Sequence, residues 1–199
     1  MKGDAKSCPA VFLDRDGVII KEVGYITHPG QIELYSDAGS SIAALNRSGF
    51  LCIVITNQSA VARGMITEND LANIHGVIME RLSYNGARLD AIYYCPHLPP
   101  DAGEQDVPPY RVRCKCRKPK SGMIEKALGE FNIDIGRSFI IGDRESDIVA
   151  GYNAGLSTIL LNTGYGTQSY EGNSGIKPDI VFQNLAEAVE FIKETIENK

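Results

Sequence analysis

AVFLDRDG, residues 10–17, begins with four apolar residues that suit a buried strand and ends in two carboxylates, Asp14 and Asp16, with a glycine directly behind them. A strand that is apolar on both faces belongs inside a sheet covered on two sides, and the glycine lets the backbone turn away at once. Further short apolar runs occur at FLCIVITN (50–57), LDAIYYC (89–95), SFIIGD (138–143) and STILLN (157–162), with PDIVF (178–182) as an edge strand. Between them lie apolar residues at helical spacing: Ile42 and Leu45; Leu71, Ile74, Ile78 and Leu82; Met123, Ile124, Ala127 and Leu128; Ile148, Ala150 and Tyr152. A last helix is expected near 184–197. Alternating strands and helices predict a three-layer α/β fold around a Rossmann-like parallel sheet, a single domain over residues 1–199.

Open α/β sheets bind their ligands beyond the carboxyl ends of the strands, and the chain places polar groups at those ends. Asp14 and Asp16 follow the first strand, Thr56 and Asn57 close the second, Lys118 ends a long loop after the third, and Asp143 follows the fourth, with Asp147 four residues on. Two carboxylates at i and i+2 aimed at one volume repel unless a cation lies between them, and oxygen ligands favour Mg²⁺. A hydroxyl, an amide and a lysine nearby suit phosphate oxygens. Asp147, in the first turn of the next helix, suits a supporting role at backbone N–H groups. His75 falls on a helical pattern and needs no function; His28 is a surface residue near the entrance.

With 20 Lys and Arg against 25 Asp and Glu, the net charge of −5 lacks the basic footprint that nucleic acid demands. No run approaches the roughly 18 apolar residues of a membrane span, so the chain is expected in the cytoplasm with its cysteines reduced. Cys8 and Cys52 are incidental. Cys95, His97, Cys114 and Cys116 need an explanation, because they bracket the Pro-rich segment 95–120. Three thiols and an imidazole complete a tetrahedral Zn²⁺ set with no open position, so the ion would be structural. Its use would be to close residues 98–113, which a compact domain would otherwise have to order at roughly 1–2 kcal/mol per residue. A Cys114–Cys116 disulfide, or thiols that merely pack, are the alternatives.

FLDRDG, VITN, the lysine of CRKPK and IIGDRESD resemble, in order, the four motifs of the haloacid dehalogenase-like phosphotransferases, from about residue 10 to residue 165. The resemblance implies that Asp14 is a nucleophile forming an aspartyl-phosphate and that Asp16 is the general acid and then base. It implies Mg²⁺ on the side chains of Asp14 and Asp143 and the carbonyl of Asp16. Thr56 and Lys118 would stabilise the transferring phosphoryl group. Asp at 16, where ion-pumping relatives carry Thr, favours rapid hydrolysis, hence a phosphatase rather than a mutase.

CPHLPP, CKCRKP, GYI, TNQSAVARG and GDRESD are similar, more narrowly, to the D-glycero-D-manno-heptose 1,7-bisphosphate phosphatases, whose zinc loop takes the place of a separate cap domain. That likeness implies a sugar bisphosphate substrate from surface-polysaccharide synthesis, no nucleic-acid or membrane partner, and a monomer. It places Glu22, Val23, Gly24 and Tyr25, and Thr56, Asn57, Gln58 and Ser59, in the substrate pocket, with Arg117 and Lys118 over the phosphate. Arg63 suits a second phosphate through its guanidinium fork. Arg144 stands where the heptose enzymes often carry Lys, a departure shared with the histidinol-phosphate phosphatases. Those cousins have a shorter run between the ligand pairs and lack the ARG after TNQ. A histidinol-phosphate phosphatase, a nucleic-acid 3′-phosphatase, and a silent domain bearing a zinc-loop binding module are the other readings.

Overall fold

Six parallel strands, β1 (Ala10–Leu13), β2 (Leu51–Asn57), β3 (Ala91–Cys95), β4 (Phe139–Gly142), β5 (Ser157–Leu161) and β6 (Ile180–Phe182), form one sheet in the order β3-β2-β1-β4-β5-β6. The computed structural model describes residues 7–102, 109–166 and 172–197. Strand order reverses between β1 and β4, so the crevice expected of a doubly wound sheet opens beyond the carboxyl ends of those two strands. Asp14 and Asp143 are the residues that follow them. Each predicted strand is present, trimmed by one or two residues, and β6 lies at the edge as expected.

Successive residues of a strand face opposite sides, and β1 divides its four between two cores. Val11 and Leu13 join a large cluster with Ile42 and Leu45 of α1 (Ala38–Arg47), Leu71 and Ile74 of α2 (Glu68–Ser83), and Leu185 and Ile192 of α5 (Leu185–Glu197). Ala10 and Phe12 join a smaller one with Met123 and Ala127 of α3 (Gly122–Glu130) and Ala150 of α4 (Glu145–Ala154). These are the three layers. Each fully buried Leu, Ile or Phe contributes about 1.5–3 kcal/mol, which fixes the strand ends that carry the polar groups. Tyr152, counted among the apolar residues of α4, is instead 63% exposed. One turn past Ile148, a tyrosine tolerates water because its hydroxyl remains solvated.

Among the described residues, β1 to β4 and β6 each lead through a loop or turn to a helix, and β5 leads through a loop to β6. The 95–120 segment is tied back on itself, as Leu98 N–H donates to Tyr110 O at 3.1 Å beside a bridge between Leu98 and Arg111. Residues 103–108 of that loop lie outside the described residues.

Candidate active site

Asp14 N–H donates to Ile141 O at 2.9 Å, which carries the sheet ladder up to the first carboxylate. Its Oδ1 then accepts from Arg15 N–H at 2.7 Å and from Lys118 Nζ at 2.9 Å. Lys118 is 4% exposed and spends all three of its N–H groups inside the protein: on Asp14, on Asp147 Oδ1 at 2.6 Å and on Ile55 O at 2.9 Å. Asp147 is held in turn by the start of α4, where its Oδ2 accepts from Arg144 N–H at 3.1 Å. Asp147 thus bonds one backbone N–H at the helix start and pairs with Lys118.

Asn57 explains how a loop lysine is placed so deeply. Its Oδ1 accepts from Lys118 N–H and its Nδ2 donates to Lys118 O, both at 3.1 Å, so the amide clasps the lysine's main chain to the end of β2.

Asp14, Asp143 and Asp147 bring carboxylate oxygens within 4.8 Å of one another. Three carboxylates against one ammonium leave a formal charge of −2, which a divalent cation would neutralise. Asp143 is wholly buried, and its Oδ1 has no hydrogen-bond partner; its Oδ2 accepts from Tyr165 N–H at 2.8 Å. An orphaned buried carboxylate oxygen is costly unless something binds it. Gly17 (φ +81°) and Gly164 (φ +51°) leave the space for this: a Cβ at either would stand 2.2 Å from Asp143 Oδ2. Burial pushes the Asp14 carboxyl up to about 7 even against the lowering by Lys118, with Asp147, Asp143 and Asp16 adding repulsion. Burial and then Asp147 push Asp143 up to about 6. Burial draws Lys118 down, but Asp14 and Asp147 more than offset it and leave its pKa above the ordinary value. The donors are hard oxygens in a pocket with surplus negative charge, so the site fits Mg²⁺.

A cavity of about 410 Å³ opens over this group. Of the residues singled out in the sequence, Asp14, Asp16, Glu22, Gly24, Tyr25, Thr56, Asn57, Gln58, Ser59, Arg63, Arg117, Lys118 and Arg144 line it, and Leu98, Ser146 and Tyr165 line it besides. Val23 does not line it; it points outward and is 51% exposed. Asp143 lies beneath the floor rather than on the wall. The rim is cationic. Arg144 donates to Glu22 at 3.1 Å and stacks on the Tyr165 ring at 3.8 Å, Arg63 lies 5.4 Å from the Tyr25 ring centre, and Arg117 Nη1 donates to His97 O at 3.1 Å.

That last bond joins the pocket to the cysteine cluster. Cys95, His97, Cys114 and Cys116 turn their ligand atoms inward, with Cys95 Sγ to Cys114 Sγ at 3.5 Å, Cys95 to Cys116 at 3.3 Å, and His97 Nδ1 3.6 Å from Cys95 and 3.3 Å from Cys116. Tetrahedral bonds of about 2.3 Å to sulfur give edges somewhat under 4 Å, so the group has the size of a Zn²⁺ site. Cys114 and Cys116 are not joined to each other, which sets aside a disulfide between them. Burial first, and then the hydrogen bond with Cys116, push the Cys95 thiol up.

Comparison with known proteins narrows the chemistry. A family model described as HAD-hydrolase-like matches residues 115–188. D-glycero-D-manno-heptose-1,7-bisphosphate 7-phosphatase of Thermosynechococcus vestitus is 38% identical over 188 residues, 92% of this chain and 95% of that protein. The corresponding enzyme of Escherichia coli K12 is 35% identical over 191 residues, 96% of each chain. Among solved structures, the D,D-heptose 1,7-bisphosphate phosphatase of B. bronchiseptica, complexed with magnesium and phosphate, superposes with a TM-score of 0.82 at 27% identity, over 96% of this chain and 99% of that one. With an α/β sheet of the haloacid dehalogenase type and full-length likeness at this level, the chain belongs to the haloacid dehalogenase-like family of D-glycero-D-manno-heptose 1,7-bisphosphate phosphatases.

Proposed function

We propose that the protein hydrolyses the C7 phosphate of D-glycero-D-manno-heptose 1,7-bisphosphate through an aspartyl-phosphate on Asp14. The observation that carries this is the placement of Asp14: one carboxylate oxygen is pinned by Lys118 and the Arg15 N–H, and the carboxylate opens onto the cavity opposite Asp16.

In the first step a carboxylate oxygen of Asp14 attacks phosphorus, the bond from phosphorus to the sugar oxygen breaks, and Asp16 delivers a proton to that departing oxygen. In the second, Asp16, now a carboxylate, takes a proton from the water that attacks phosphorus, which frees Asp14 and phosphate. Lys118 and the Thr56 hydroxyl face the phosphoryl oxygens and offset the charge that gathers there. Thr56 Oγ1 accepts from Gln58 Nε2 at 2.8 Å, which leaves its hydroxyl hydrogen free to donate into the cavity. Asp14, Asp143 and the carbonyl of Asp16 would hold Mg²⁺, which supplies charge neutralisation to the phosphoryl group when bound.

A bisphosphate suits the rim. Arg63, Arg117 and Arg144 surround the entrance, and guanidinium forks favour a second phosphate over an imidazole or a bare alkyl chain. Zn²⁺ on Cys95, His97, Cys114 and Cys116 would be structural, holding Arg117 through His97 O. Residues 1–199 would act as a single domain, as a monomer in the cytoplasm; among the described residues no helix is long and apolar enough to cross a membrane.

The test is turnover of heptose 1,7-bisphosphate against histidinol phosphate with one preparation. A kcat/KM at least roughly a hundredfold higher for the bisphosphate is expected, since each lost phosphate contact is worth about 1–3 kcal/mol. Equal or reversed values would assign the histidinol reading instead. Asp14→Asn should abolish Mg²⁺-dependent phosphate release from either compound.

A further inference from the structure

Arg15, between the two carboxylates of the DRDG run, is the largest wholly buried side chain, at 2% exposure. A buried guanidinium has to place all its donors, and this one uses them on three elements. Nε donates to Asp16 Oδ1 at 3.2 Å, and Nη2 stands 2.9 Å from Oδ1, from Oδ2 and from Gln58 Oε1. Nη1 lies 3.3 Å from Nε2 of His75, a residue of α2 whose ring leans on Tyr94 of β3 at 5.8 Å between centres. Arginine has no acceptor, so His75 Nε2 must accept, and the ring is neutral with its proton on Nδ1. Burial first and Arg15 second push the His75 imidazole down to about 3, in agreement with that assignment.

Gln58 closes the circuit. Its Nε2 donates to Asp16 Oδ2 and to Thr56 Oγ1, both at 2.8 Å. Both amide hydrogens and the amide oxygen are thus committed to the protein, although Gln58 lines the cavity. An ionised carboxylate offers about four acceptor sites. Asp16 meets its partners with four contacts, Oδ1 with Nε and Nη2 and Oδ2 with Nη2 and Gln58 Nε2, the two Nη2 contacts drawing on one shared hydrogen. Its side chain remains 16% exposed and lines the cavity.

We propose that Arg15, Gln58 and His75 form a buried positioning network that fixes the Asp16 carboxylate toward the leaving oxygen, with His75 as the terminal acceptor that sets the rotation of the guanidinium. The inference rests on the reading of Asp16 as general acid and base. Asp16 sits on a loop beyond a strand. Rotation of its side chain would move the proton by more than the roughly 1 Å misplacement that costs 10²-fold. The network supplies the restraint. His75 touches neither substrate nor metal ligands, so it is a positioning residue.

A leaving-group comparison on the Mg²⁺- and Zn²⁺-replete protein tests this. An alkyl oxygen must be protonated as it departs, whereas p-nitrophenolate leaves as the anion, so only the first needs a well-aimed acid. The readout is kcat/KM for heptose 1,7-bisphosphate divided by kcat/KM for p-nitrophenyl phosphate, which covers the departure of the leaving group and excludes the hydrolysis step the two substrates share. Asp16→Asn should lower this ratio strongly; if it does not, the general-acid reading itself fails. With that control in place, His75→Leu should lower the ratio roughly tenfold, a fraction of the 10²–10⁴ that general acid catalysis supplies, with KM for the bisphosphate within about twofold. His75→Gln, which restores an acceptor, should recover most of it. An unchanged ratio in a His75→Leu protein that melts like the wild type overturns the proposal. Should His75→Leu not fold, Arg15→Lys, which keeps the charge and loses the fork, decides by the same criterion.

Discussion

Lys118 Nζ stands 2.9 Å from Asp14 Oδ1, one buried ammonium against the carboxylate at the head of the site. Removing it in Lys118→Met leaves Asp14 and Asp147 facing each other without compensation, so the Asp14 carboxyl, already raised to about 7 by burial, rises further. At neutral pH Asp14 would then be protonated and a poor nucleophile. Phosphate release should fall by at least about 10³-fold, the upper range for one preorganised donor, in steady-state assays with p-nitrophenyl phosphate. Raising the pH should recover part of the loss.

Gly17 has φ +81°, and a Cβ there would stand 2.2 Å from Asp143 Oδ2. Gly17→Ala should therefore displace the Asp143 carboxylate besides straining the turn. The Mg²⁺ concentration for half-maximal activity should rise more than about tenfold, in the range that disturbed support of a metal ligand produces. Gly49→Ala supplies the control for backbone strain alone, because Gly49 has φ +83° and nothing within 4 Å of a Cβ. Its Mg²⁺ dependence should match the wild type.

The parts of the site that sequence made legible are those where local pattern and strand position coincide. Asp14, Asp16, Thr56 and Asp143 each sit at or just past the end of an apolar run, so knowing the strands was enough to bring them together. Lys118 was reachable by its link to the cysteine pair, but its clasp by Asn57 spans 61 positions and leaves no periodic trace. The same holds for Arg15, Gln58 and His75. An arginine between the two carboxylates of the DRDG run is a local oddity, yet its partners lie 43 and 60 positions away, and His75 in isolation reads as one more residue of an amphipathic helix. Tyr152 was misplaced because its residue type was read as burial, while Val23 was carried in with its neighbours by the family likeness; the direction of a loop or of the last turn of a helix depends on neighbours far along the chain.

Two restraints hold Lys118, the Asn57 clasp at its own main chain and the cysteine cluster two residues upstream. Removing one thiol from the cysteine cluster in Cys114→Ser should thus cost only roughly tenfold in kcat, as should Asn57→Ala, because each leaves the other restraint in place. Together they should exceed the product of the single losses by about tenfold or more, a coupling of about 1.4 kcal/mol. Purely multiplicative losses would mean that the cysteine cluster does not help position Lys118. Added Mg²⁺ should rescue none of the three variants.

His75 supplies a pH signature of stability that is separate from the metal ligands. Its folded pKa of about 3 lies below the ordinary 6.5, because burial and Arg15 both oppose a second proton on the ring. As pH falls through 6.5 the unfolded chain takes up that proton and the folded one does not. The contribution of the neutral ring is therefore fully present above pH 6.5 and is lost progressively as pH falls toward 3. At pH 4.5, about two units below the unfolded value, the loss amounts to about 3 kcal/mol. In urea unfolding at pH 7 and pH 4.5, the wild type should lose about that much more stability than His75→Gln, which cannot titrate. Protonation of the other groups is common to both proteins and cancels in the difference. Equal losses would show that the ring accepts a proton in the folded protein, and hence that Nε2 is not held as the acceptor for Arg15.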